Sequence, residues 1–279
     1  MAKVSISNTQ LKRMLNITKR KQTVGGKQQA QVESCVLKCD GSKATITSLT
    51  RDLTGLTTVT AECGGAAAIP IPDIDRVLGI LSLHSENLVL TWEGFNHNKL
   101  RFNSTGKQTT LDASFDAKAF SHSQETIEHF DSRTVGLANK INPKRGTYTL
   151  GDGNELPCFC SFEVDVADLY DACRCDTING QRLNRYTFKV DLEETLEIEI
   201  TVGDPSLGQT TSTIPVEGGA MKPLSDFTWD FDGGLDELFK GFTGKATLHF
   251  FDFREYGQGI RFCASFGNGE WAWAAGALN

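Results

Sequence analysis

The sequence predicts an α+β protein of two similar domains, each made of two strand–helix–three-strand units. Three observations predict it. A short alternating strand followed by an apolar i, i+3, i+4 helix face occurs four times. Each occurrence is followed by period-2 runs bounded by Gly, Asp and Asn. The first two copies begin about 65 residues apart, as do the last two, with about 93 residues between the middle pair. A chain of 279 residues, 39% apolar and 23% charged, can bury a core in each of two ordinary domains.

In the first copy, Val4-Ser5-Ile6 alternates, and the stretch Ile6 to Lys21 reads as an amphipathic helix with Leu11, Met14, Leu15 and Thr18 on one face. Strand patterns follow in "VESCVLKC", "KATITSLT" and "DLTGLTTVTA". In the second copy Ile69 and Ile71 alternate. Ile74, Val77, Leu78 and Leu81 then form the helix face, before "NLVLTWEG", "KLRFNSTG" and "KQTTLDAS". The third has Val164 and Val166, then Leu169, Ala172 and Cys173, then "RYTFKVDL", "TLEIEITVG" and "QTTSTIPV". The fourth has Trp229 and Phe231, one residue inserted at Gly233-Gly234, and Leu235, Leu238, Phe239 and Phe242 on the helix. "KATLHFFDF", "GIRFCASFG" and "EWAWAAGAL" complete it. The extra length between copies two and three is polar. It divides the chain into a domain over 1–114, a linker over 115–156 with a short helix in "SQETIEHFDSRTVGLANKI", and a domain over 157–279.

Charge is unevenly distributed. The protein carries −7 overall, yet Met1 to Val32 holds seven basic residues and no acid. A local basic patch on an acidic protein points to a directed contact with a polyanion. No run of about 18 apolar residues exists, so no membrane span is expected. Met1-Ala2-Lys3-Val4 leads straight into a strand, so no leader is expected either.

The cysteines, at 35, 39, 63, 158, 160, 173, 175 and 263, are expected to be reduced and mostly core residues. Cys35 and Cys39 share a strand face, as do Cys158 and Cys160, while Cys173 and Cys175 diverge on a helix. No metal site is therefore expected. The histidines, His84, His97, His122, His129 and His249, lie in no catalytic context, and "GDGNE" lacks the ligand register of a calcium loop. No catalytic residue and no cofactor are assigned; an enzyme of unrecognised type is the outlying alternative.

Unit order, helix placement, the middle linker and the strand-rich C-terminus together resemble the DNA sliding clamps, of the proliferating-cell-antigen and T-even phage types. The resemblance implies the DNA-clamp fold, with helices on one face and sheets on the other. It implies three subunits joined head-to-tail around duplex DNA without sequence readout, a DNA polymerase and a clamp loader as partners, and no membrane. The location would be cytoplasmic in a bacterium or infected cell, or nuclear in a eukaryote; the long linker leans toward a phage or virus. Lys12, Arg13, Lys19, Arg20, Arg76, Arg174 and Lys240 would face DNA, with Asp75, Asp171, Asp236 and Glu237 on the same sides. Subunits would pair through "KQTTLDAS" and "GQTTSTIPV", with Thr109, Thr110, Thr210 and Thr211 in the contact. Partner peptides would dock near the linker and "EWAWAAGALN", where Trp271 and Trp273 are read as core. Two alternatives keep the fold: a viral processivity factor that binds DNA through a basic face without a ring, and a subunit of a heteromeric clamp.

Overall fold

A computed structural model describes residues 1–24, 27–50, 55–94, 97–112, 132, 134–174, 177–178, 181–182, 185–191, 197–206, 208–216, 218–221, 227–232 and 234–275. Cys175, His122, His129, Gly233 and Leu278 lie outside them. The chain forms two compact units. One holds residues 1–20, 32–48 and 58–138; the other holds 21–31, 49–57 and 139–279.

The elements of the first half are β1 (Ala2–Ser7), α1 (Asn8–Thr18), β2 (Arg20–Val24), β3 (Lys27–Val32), β4 (Cys35–Leu49), β5 (Gly55–Ile71), α2 (Ile74–Leu81), β6 (Asn87–Trp92), β7 (Lys99–Ser104) and β8 (Lys107–Asp112). In the first unit β1 lies antiparallel between β5 and β6, with Ile6 opposite Cys63 and Val4 opposite Leu90. β7 and β8 extend the sheet, so β8 is its edge. Alternation puts Val4, Ile6, Leu88, Leu90, Leu100 and Phe102 in the core. Onto them α1 lays Leu11, Met14 and Leu15, and α2 lays Ile74, Val77 and Leu81.

Both helices begin on a side-chain cap. The Ser7 hydroxyl accepts from the Gln10 amide at 3.1 Å, and the Asp73 carboxylate from the Arg76 amide at 2.9 Å. The Glu86 carboxylate, in turn, accepts from the hydroxyls of Ser7 and Thr9, which holds it below the usual carboxylate range.

The first helix is shorter than its sequence pattern. It stops at Thr18, and Lys19 is extended (φ −66°, ψ 123°). Arg20–Val24 and Lys27–Val32 then form the two-stranded pair β2–β3. Gly25-Gly26 between two polar alternating runs is a hairpin signal that outweighs the helical period. From Cys35 to Leu49 the expected strands "VESCVLKC" and "KATITSLT" run on as one element, β4. It bends at Asp40, whose carboxylate accepts from the amides of Ser42 and Lys43.

The second half comprises β9 (Ile141–Asn142), β10 (Thr147–Thr149), β11 (Glu155–Pro157), β12 (Cys160–Asp165), α3 (Val166–Arg174), β13 (Thr177–Ile178), β14 (Gln181–Arg182), β15 (Arg185–Asp191), β16 (Glu197–Asp204), β17 (Gly208–Pro215), β18 (Gly218–Met221), β19 (Phe227–Asp232), α4 (Leu235–Phe239), β20 (Lys245–Asp252), β21 (Ile260–Ser265) and β22 (Trp271–Ala275). In the second unit the order β17-β16-β15-β19 makes one sheet, and β12, β20, β21 and β22 run side by side in another. Phe188 of the first sheet meets Phe250 and Phe262 of the other at ring centroids 6.2 and 5.8 Å apart, with Phe231 and Phe239 completing the cluster.

Residues 141–157, all but the last of them in the stretch expected as linker, form the small sheet β11-β10-β9. Tyr148 of β10 stacks on Trp273 at 5.5 Å and meets Phe253 edge-on at 5.0 Å. Trp271 and Trp273 are both buried. Residues 134–138 of the expected linker helix are helical.

Candidate nucleic-acid interface

The helices pack in pairs within each unit, α1 on α2 and α3 on α4. Their polar sides carry the candidate DNA contacts. On α1, Arg13 is exposed and Lys12 half-buried. Lys19, at the helix end, forms an ion pair with Asp75 in the first turn of α2, and this links the two helices. Arg76 and Asp75 are exposed beside each other on α2. On α3, whose first turn is capped by Asp165 at 2.7 Å from the Ala167 amide, Arg174 is exposed and lies over the Tyr170 ring at 5.6 Å. On α4, Lys240 lies 3.6 Å from Glu237.

Two assignments change. Arg20 belongs to β2 rather than to the helix, and it is only 3% exposed, so its guanidinium is not on the polar face of α1. Asp236 is 6% exposed and turned inward, accepting from the Tyr186 hydroxyl at 3.3 Å. It therefore adds little negative charge to the outer side of α4. The basic surface concentrates on α1, while the other helices present mixed charge.

Among the described residues, the two Thr-rich strands are both edges. β8 ends its sheet and β17 ends the four-stranded sheet of the second unit. Thr110 and Thr211 are exposed; Thr109 and Thr210 are half-buried. Thr211 shares a hydroxyl contact of 2.9 Å with Thr201 of β16. Thr109 is tied inward: its hydroxyl lies 2.9 Å from Nε2 of His84, whose Nδ1 lies 2.8 Å from the Ser104 hydroxyl. Nothing in the local sequence around His84 signals this bridge, because the hydroxyls lie 20 and 25 residues away.

No group of three metal-ligating side chains is assembled among the described residues. Burial pushes the thiols of Cys35, Cys160 and Cys263 far up and that of Cys39 up to about 12. Burial thus keeps these thiols protonated at neutral pH. No helix among the described residues is long and apolar enough to cross a membrane.

No protein-family model and no curated protein sequence matches the chain. Solved structures do match, from end to end. The DNA polymerase III beta chain of Streptococcus pneumoniae aligns with 100% of this chain and 65% of its own, at 10% identity and a TM-score of 0.62. This is the DNA sliding-clamp fold. The DNA polymerase sliding clamp of Bacillus subtilis matches over 99% of this chain and 64% of its own, at 12% identity and a TM-score of 0.61. PCNA of A. fulgidus, bound to the C-terminal region of FEN-1, matches over 100% and 99% respectively, at 12% identity and a TM-score of 0.58. The chain thus spans just under two thirds of the first two clamps and nearly all of PCNA.

Proposed function

We propose that this chain is the subunit of a homotrimeric sliding clamp that encircles duplex DNA and tethers a DNA polymerase as a processivity factor. The end-to-end match to the clamp fold carries the reading. Residues 1–114 and 157–279 serve as its two clamp domains, with 115–156 between them. The exposed edges β8 and β17 support closure. They differ from one another, so pairing one with the other between copies is head-to-tail, and such contacts repeat until a ring closes. β17 has no charged residue to discourage pairing. Lys12, Arg13 and Lys19, with Arg76, Arg174 and Lys240 as lesser contributors, meet phosphates from within the ring; the acidic remainder of the surface repels DNA. A clamp loader opens the ring, and the polymerase binds it afterwards.

Light scattering and a retention assay test this reading. The expected mass is that of three chains. Protein loaded on a closed circular duplex should be retained at high salt and released when that duplex is cut once. A monomer that binds linear duplex tightly, and whose dissociation is indifferent to blocked ends, would overturn the ring. The basic side of α1, which carries Lys12 and Arg13 and no acid, would then favour a processivity factor that holds DNA through one basic face.

A further inference from the structure

The imidazole of His84 lies beneath the edge strand β8, in the turn that follows α2. One ring nitrogen meets the Ser104 hydroxyl at the end of β7, and the other meets the Thr109 hydroxyl in β8. The ring also tilts against Phe102 at 6.3 Å. Its backbone carbonyl is fixed from α1 by the Asn8 side-chain amide at 2.7 Å. The charge acting on it is the Lys107 ammonium, at the start of β8. Among the described residues, α1, β7 and β8 thus supply a side-chain amide, two hydroxyls, a phenyl ring and a cation, and the Glu86 carboxylate in His84's own turn is engaged by the Ser7 and Thr9 hydroxyls.

We propose that His84 is a pH-sensitive latch on the β8 edge: proton uptake at its imidazole weakens the pairing of this edge with a second copy of the chain. The proposal rests on the ring contact described under Proposed function. A neutral imidazole donates to one hydroxyl and accepts from the other, which fixes Thr109 against the sheet. The imidazolium can only donate. The hydroxyl that had donated must then turn its proton elsewhere, and a partly desolvated cation sits beside Lys107. The strand proposed to pair with β8 is β17, Gly208–Pro215, which holds no ionisable side chain. The new charge therefore meets no compensating group on that strand. Burial and Lys107 both hold the imidazole below its ordinary value, so the latch is closed at neutral pH.

The test combines oligomer mass with amide hydrogen exchange across residues 107–112, corrected for intrinsic rates, between pH 7.5 and 5.0. In the unmodified chain each subunit contact should weaken by up to about tenfold per pH unit below the imidazole's titration, one proton being taken up per contact. Protection of β8 should fall over the same range. His84→Gln, which stays neutral, should reduce both changes to less than about twofold. Lys107→Gln, at an exposed position with little bearing on folding, should move the transition to higher pH by removing the neighbouring positive charge. A chain that is monomeric at every pH would refute the ring and, with it, the proposed weakening of a contact between copies. If rings form but their dissociation and β8 protection are flat with pH, or follow the same curve in His84→Gln, the latch is refuted while the ring stands. If Lys107→Gln leaves the transition where it was, the latch is likewise refuted.

Discussion

Gly146 adopts φ +60°, and a Cβ there would lie 2.7 Å from Nδ1 of His249 and 2.8 Å from Sγ of Cys158. Those two side chains are buried against each other at 3.8 Å, and the Cys158 amide donates to the Gly146 carbonyl. Gly146→Ala should destabilise the second unit by about 2–4 kcal/mol, the sum of a left-handed backbone and overpacking. Gly153, also left-handed at φ +87°, has nothing within 4 Å of its Cβ position. Gly153→Ala should lose only the backbone part, about 1–2 kcal/mol. Urea midpoints of the two variants separate clash from backbone strain. His249 gives a pH dependence in the same neighbourhood. Burial lowers its value in the fold, opposed in part by its bond to the Pro143 carbonyl. The unfolded chain therefore takes up the proton first: stability is complete above pH 6.5 and lost as pH falls through the lower folded value. A further loss should come in the acid range. There Asp252, held low by its hydrogen bonds to Arg254, and Asp204, held low by Ser206, become protonated. Denaturation midpoints across pH 3–8 should show a plateau above 6.5 and two successive declines, and His249→Gln should shrink the upper one.

At the scale of elements, apolar periodicity located α1 to α4, because each buries an apolar stripe. Leu11, Met14 and Leu15 do so on α1, and Leu169, Ala172 and Cys173 on α3. Periodicity failed where polar residues decide the structure. Lys19 to Val32 offers no apolar alternation, and its hairpin is marked chiefly by Gly25-Gly26. Arg20 was legible as a charge but not as buried, since a sequence shows residue type and not what folds over it. The same holds for Asp236, whose inward turn depends on Tyr186, fifty residues away. The edge positions of β8 and β17 were legible, because each comes last in a run of three strands and carries adjacent Thr residues. Thr211 is exposed at the outer face of such an edge, so Thr211→Lys should dissociate the assembly without unfolding the chain. Light scattering should show the drop to one chain, with an unchanged melting transition for the monomer. Thr109 is the poorer probe, because its hydroxyl also holds His84.

For the whole molecule, the proposed grip on DNA rests on very few cations. Affinity that comes from phosphate neutralisation falls with salt at a slope of about 0.9 per contact, so removing contacts flattens the slope by a countable amount. Lys12→Ala with Arg13→Ala should flatten it by up to about two and leave the fold intact, since both sit on the polar side of α1. Lys19→Ala should add less than one further contact, because its ammonium is already paired with Asp75. Asp75→Asn should act in the opposite sense, releasing Lys19 to phosphate and steepening the slope. Arg20→Ala should leave the slope unchanged and lower the denaturation midpoint, as expected for a buried guanidinium rather than a surface one. Titrations of linear duplex from 50 to 200 mM salt distinguish these outcomes. A slope that Arg20→Ala flattens as much as the Lys12 and Arg13 pair does would mean that DNA meets β2 rather than the exposed side of α1, and the proposed lining would have to be redrawn.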